Sequence, residues 1–159
     1  SSMEGTRSIL IEVQALLSNT TFGMPRRTAT GLDYNRVVLL MAVLEKRIGL
    51  NLSNQDAYLN VAGGMKIDEP AADLGIAAAI ASSFREKRID PGTVAIGEIG
   101  LAGEIRGVNY IESRIKEAAK LGFTRCVVPK DNLKNCKKSD GIEIIGVSNL
   151  RQGLDVVFN

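Results

Sequence analysis

Apolar residues along this chain switch repeatedly between two spacings, every second residue and every third or fourth. That alternation from end to end points to an α/β fold in a single domain. The 159 residues suffice for one compact core. Residues 8–17 (SILIEVQALL) read as a strand, broken by a polar stretch with Gly23 and Pro25, and residues 27–32 read as the return strand of a hairpin. From Asn35 the period is helical: Val37, Leu40, Met41, Leu44 and Ile48 share a face, and Gly49 stands at the stop. Residues 57–62 form a short buried strand ahead of Gly63-Gly64. Pro70 opens an alanine-rich helix over 71–84, whose small side chains suit close packing on several faces. Residues 93–99 predict a strand, Gly100 and Gly103 a tight connection into 104–108, and residues 110–121 a helix closed by Gly122. A strand at 125–128, a basic loop at 130–138, a strand at 142–147 and a helix at 149–157 capped by Ser148 complete the chain.

Composition removes much chemistry. There is no histidine, so a Ser-His-Asp or Cys-His nucleophile, a His-ligated zinc and an imidazole acid or base are excluded. Two cysteines, Cys126 and Cys136, are too few for a structural zinc site or a disulfide scaffold, and read as free thiols of a reducing compartment. No apolar run approaches the roughly 20 residues of a membrane span, so a cytosolic protein with no membrane partner is expected. Ser1-Ser2-Met3 reads as a cloning scar, which makes residues 4–159 an excised domain. The net charge of +2 does not by itself call for nucleic acid.

Few motifs carry chemistry. Gly63-Gly64-Met65-Lys66 follows a strand but lacks the spacing of a phosphate loop, because Lys66 is followed by Ile67 and the helix begins only near Pro70. Ser113 and Lys116 match a Ser-x-x-Lys spacing, the one covalent hydrolase option that survives without histidine, although the stripe that holds them is solvated. Ser82 and Ser83 read as small packing residues, and Asp68, Glu69 and Asp73 as complements to a helix dipole. No metal-ligand spacing stands out. Arg26 and Arg27 sit in a turn, Arg36 lies in a helix's first turn against the dipole, and Lys46-Arg47 end that helix. Such cations need a partner, either phosphate oxygens or carboxylates. Lys130, Lys134, Lys137 and Lys138 form a second, solvated cluster.

Several segments carry a resemblance: Glu4-Gly5-Thr6-Arg7, Pro25-Arg26-Arg27, Gly31-Leu32-Asp33-Tyr34-Asn35-Arg36, Glu69-Pro70-Ala71-Ala72-Asp73-Leu74 and Gly97-Glu98-Ile99-Gly100-Leu101. Together they resemble the C-terminal domain of the bacterial RadA (Sms) DNA repair family, in order and nearly from Glu4 to Phe158. That domain is similar in fold to the Lon proteolytic domain and to the ribosomal protein S5 domain 2-like α/β folds. The resemblance implies a hexameric, ATP-driven DNA branch-migration motor. Its ATP, Mg and Zn would belong to upstream domains, so no cofactor is expected in this chain. An active Lon uses a Ser-Lys dyad with its serine in an Asp-Gly-Pro-Ser-Ala-Gly turn. Here the matching residues are 68–73, which puts Ala71 at the nucleophile, and the lysine position falls on Glu112. With both halves gone, the resemblance implies no peptidase, and Glu69, Asp73 and Glu112 would repel many ligands of a Lon groove. The leading expectation is a scaffold for a homo-oligomer, hexameric in the parent protein, that also offers weak, non-specific contacts to DNA through Arg26, Arg27 and Arg36. The alternatives are a residual Ser113-Lys116 hydrolase and a pure oligomerisation or protein-interaction module.

Overall fold

The computed structural model describes residues 2–4, 7–136 and 141–158. Lys137 and Lys138 of the basic cluster, and Gly5 and Thr6 of the first matching segment, lie outside them. The elements in order are β1 (Ser2–Glu4), β2 (Arg7–Ile9), β3 (Val13–Asn19), β4 (Arg27–Thr30), α1 (Tyr34–Val43), β5 (Gln55–Val61), α2 (Asp73–Arg85), β6 (Thr93–Ala95), β7 (Glu98–Ile99), β8 (Ile105–Arg106), α3 (Ile111–Lys120), β9 (Arg125–Pro129), β10 (Glu143–Val147) and α4 (Leu150–Val157). The α/β expectation therefore holds, with one all-parallel sheet and one mixed sheet.

The mixed sheet has the order β3-β5-β4. β5 runs antiparallel to β3 and parallel to β4, so residues 27–30 are not the return strand of a hairpin. A later strand is inserted between the two, which sequential reading cannot reveal because pairing is decided by which edge is buried. β5 alternates as a half-buried strand should: Ala57, Leu59 and Val61 face the core, while Tyr58 and Asn60 face out. The parallel sheet has the order β10-β9-β6. Its central strand carries Cys126, Val127 and Val128, all fully buried, the run expected where both faces are covered. The expected strand over 93–99 is split, with β6 ending at Ala95 and Glu98–Ile99 pairing instead with β8.

α2 lies at the centre and touches α1, α4, β3, β6 and β7. Its small side chains permit this. Gly75 brings the helix against the Ala95 carbonyl of β6, and Gly153 of α4 seats on Leu74 so closely that a Cβ there would lie 3.0 Å from a Leu74 methyl. Ser83, expected to be a mere packing residue, accepts a hydrogen bond from the Leu17 N–H of β3 at 2.9 Å and so covers that sheet edge.

The ends of α1 follow their sequence signals. Asp33 caps α1 through the Asn35 N–H, and the helix runs on into a π-helical turn (Leu44–Ile48) that stops at left-handed Gly49. In α4 the cap is Asn149 rather than Ser148: its side chain accepts the Gln152 N–H, and the Gln152 amide oxygen accepts the Ser148 N–H. Residues expected to be loop at Lys130–Asn135 form a 3-10 helix, and Asn132 within it bonds both backbone groups of Val108.

Candidate functional site

The turn before α2 is built from Pro70–Ala72, one 3-10 turn with proline in its first position. Ala71 is buried, its methyl in a cluster with Ile96, Ile111, Ile115 and Val128. The Ala71 carbonyl accepts the Gly97 N–H at 2.9 Å, and the Gly97 carbonyl accepts the Leu74 N–H at 3.0 Å, so the turn is fastened at two points to the segment between β6 and β7. The fold thus brings the 69–73 turn to the N-terminal end of α3. What meets there is a methyl group and hydrocarbon.

Both carboxylates flanking the turn are neutralised. Asp73, fully buried, pairs with Arg36 of α1 and also accepts the Ile99 N–H at 3.0 Å. Glu69 pairs with Arg114 of α3, whose guanidinium is itself buried and donates to the Asn109 carbonyl at 2.9 Å. The expectation that Glu69 and Asp73 would repel ligands is therefore corrected: each carboxylate is occupied by a guanidinium supplied from another helix. Arg114 also steadies a strained joint, because Tyr110, just before α3, has a left-handed backbone with φ 61°.

Glu112 is exposed in the first turn of α3, where its charge suits the dipole. It lies close enough to Cys136 to help raise that thiol above its ordinary range, after burial, the larger cause. Ser113 is half-buried and Lys116 is exposed on the solvent side of the same helix.

Arg26, Arg27 and Arg36 are not gathered into one patch. Arg27 is half-buried and donates to the Leu52 carbonyl at 3.0 Å and to that of Gln55, pinning the loop before β5. Arg36 is committed to Asp73 and to the Ile99 carbonyl, and its hydrogen bond with Asp73 holds the guanidinium pKa above the ordinary value. Arg26 is exposed; its backbone N–H donates to Asp56 at 2.8 Å and its carbonyl accepts the Ala57 N–H at 2.8 Å. Two other arginines are neighbours through the backbone. Arg151 donates to the Arg47 carbonyl at 3.1 Å while Arg47 Nε donates to the Leu101 carbonyl at 3.3 Å, and both side chains are exposed without a carboxylate partner among the described residues. Arg151 carries the signal that singled out Arg36, a cation in a helix's first turn.

A small cavity of about 80 Å³ lies beside Arg36 and Asp73, room for a few waters. Among the described residues no cluster of three or more acidic or thiol side chains could hold a metal, and no helix is long and apolar enough to cross a membrane. Gly63 and Gly64 sit in a short turn, with no helix following Lys66 until Pro70, so no phosphate loop forms.

Comparison with known proteins agrees with the segments that drew attention. The chain is 63% identical over 153 residues to the DNA repair protein RadA of Bacillus subtilis (strain 168), covering 96% of the chain and 33% of that protein. It is 60% identical to the DNA repair protein RadA of Halalkalibacterium halodurans, covering 99% of the chain and 34% of that protein. It is 58% identical to the DNA repair protein RadA of Streptococcus pneumoniae (strain R6), covering 99% and 37%. The chain thus spans about a third of the length of these relatives. The model of a protein family described as subunit ChlI of Mg-chelatase matches residues 14–132, about three quarters of the chain. With its two three-stranded sheets packed about an alanine-rich helix and the matched region running from β3 into the 3-10 helix after β9, this chain belongs to the ChlI family.

Proposed function

We propose that this chain is a non-catalytic, Lon-like domain of a cytosolic DNA repair protein, serving as an assembly scaffold and a contact surface for DNA. The observation that carries this reading is the 69–73 turn: a buried methyl stands at Ala71, and the carboxylates on either side are occupied by Arg36 and Arg114. A turn fastened in this way holds shape and leaves no nucleophile. The names of the RadA relatives support a role in DNA repair. Nucleotide and metal chemistry, and the hexameric motor they would drive, belong in this reading to other parts of a longer protein, because no phosphate loop is present among the described residues. Phosphate contacts fall to guanidinia left without a carboxylate, Arg47 and Arg151 first. Arg27 and Arg36 serve the fold, whereas exposed Arg26 can meet either a phosphate or a carboxylate of another chain.

Fluorescence anisotropy on labelled duplex and single-stranded DNA tests the reading. Weak binding that falls steeply with salt is expected, and Arg47→Ala/Arg151→Ala should lower the salt slope by about 2. Affinity indifferent to salt, or cleavage of fluorescent casein by the purified chain, would overturn it.

A further inference from the structure

Two apolar features of the surface lie at opposite ends of β3. Beyond its end, the loop at 20–25 holds Phe22 90% exposed and Met24 87% exposed. The loop is not frayed. Its base is closed by the Asp56 carboxylate, which accepts the Thr20 hydroxyl at 3.0 Å and the Arg26 N–H at 2.8 Å, and by the Thr20 N–H on the Asn54 carbonyl at 2.8 Å. Left-handed Gly23 turns the tip between the two side chains. A held loop that lifts a phenyl ring and a thioether into water loses little further entropy when a partner covers them.

At the start of β3 lies the complement, an apolar cleft of about 580 Å³ within the range of cavities that bind ligands, about 300–1,000 Å³. One wall is the small-residue face of α2, Gly75, Ala78 and Ala79, continued by Ala72 of the turn before it, and the floor is β6. Two exposed carboxylates, Glu12 and Asp90, stand at the cleft, while the Phe22–Met24 tip is flanked by exposed Arg26. The apolar character of the two features matches and their charges are opposite.

The loop cannot fill its own cleft. β3 is paired along its whole length with β5, and seven residues at about 3.4 Å each keep the two features roughly 20 Å apart. We propose that the cleft receives the Phe22–Met24 loop of a second copy of this chain, with Arg26 of one copy facing Glu12 and Asp90 of the next. The contact is head-to-tail: each copy uses its loop on one neighbour and its cleft on another, a geometry that closes into a ring or runs on as a filament. This rests on the scaffold reading above and gives it a surface, leaving Arg47 and Arg151 for DNA.

The test is sedimentation equilibrium of the full chain without DNA. Association of the wild type is expected, with Phe22→Ser/Met24→Ser weakening it roughly thirtyfold or more, as loss of an aromatic anchor does. Ala79→Glu, which puts a charge in the cleft, should do the same. Glu12→Arg, wholly on the surface, provides the cleft-side result should Ala79→Glu fail to fold. The loop variant mixed with a cleft variant should yield a dimer and nothing larger, because only one intact loop and one intact cleft remain. If the wild type associates and the loop and cleft variants match it, this contact is wrong while the scaffold reading stands. A wild type that stays monomeric throughout overturns both.

Discussion

Arg36 and Asp73, 37 residues apart in sequence, meet side on: Arg36 Nε donates to Asp73 Oδ1 at 2.8 Å and Arg36 Nη2 to Asp73 Oδ2. The pair ties α1 to the first residue of α2, and through the Ile99 N–H it also ties β7. Asp73 is 1% exposed and Arg36 28%, so one partner has given up its hydration almost completely. Removing the arginine strands that carboxylate, and Arg36→Met should cost about 3 kcal/mol. Replacing both partners with Arg36→Met/Asp73→Leu should recover part of the loss, because an uncharged pair pays no desolvation. Urea denaturation of the two variants checks the order. A double variant no more stable than Arg36→Met would mean that the pair's energy lies elsewhere.

Two left-handed glycines separate backbone strain from crowding. At Gly49, φ 83°, a Cβ would meet nothing within 4 Å, so Gly49→Ala should cost only the left-handed penalty, about 1 kcal/mol. At Gly31, φ 81°, a Cβ would overlap the Met65 carbonyl oxygen and press on Val61. The Gly31 carbonyl also accepts the Ile67 N–H at 2.7 Å, which prevents the strand from drifting aside. Gly31→Ala should therefore lose clearly more than Gly49→Ala, by about 2 kcal/mol. Thermal melts of the two single variants would expose the error if the losses came out equal.

What the sequence makes legible is local. The α1 stripe, the stops at Gly49 and Gly122 and the buried β5 strand follow from spacing, because neighbours in a helix or strand report on the same face. The misreadings concern distance. β4 follows β3 in the chain, yet β5 lies between them. Ser148 and Asn149 are both good caps, and only the register of the first α4 turn selects Asn149. For the site, the methyl side chain at Ala71 is visible in one residue, but the partner of Arg36 lies across 37 residues and that of Arg114 across 45. A cation placed against a helix dipole signals that a partner exists; it does not say whether that partner is phosphate or a buried aspartate.

Asp56 should govern the order of the exposed loop. Its carboxylate is held below its ordinary pKa of 3.8 first by the Arg26 N–H; desolvation opposes this, and the Thr20 hydroxyl lowers it further. A depressed carboxylate contributes stability that is present above its unfolded pKa and fades as pH falls through the folded one, so the anchor is complete at neutral pH. Asp56→Ala at pH 7 should therefore speed amide exchange at Arg26 and Thr20, while exchange within α2 stays unchanged. Unaltered exchange at Arg26 would show that the loop is held by something other than this carboxylate.

The Cys126 thiol sets a limit on alkaline stability. Burial in the centre of the parallel sheet pushes it from 9.0 to about 12, the largest cause being desolvation. In the unfolded chain the same thiol ionises near its ordinary value, so above about pH 9 the unfolded state sheds a proton that the native state keeps. Stability is full below that pH and drains away as pH rises toward 12, at roughly 1.4 kcal/mol per unit for a single group. The informative quantity is a difference between two proteins: the urea midpoint of Cys126→Ala should fall less steeply between pH 9 and pH 11 than that of the wild type. Thiol-reactive dye adds a second readout, since half-buried Cys136 should label in the native state while Cys126 waits for unfolding. Parallel pH slopes for the two proteins, together with prompt labelling of Cys126, would mean that β9 opens to solvent in the folded molecule.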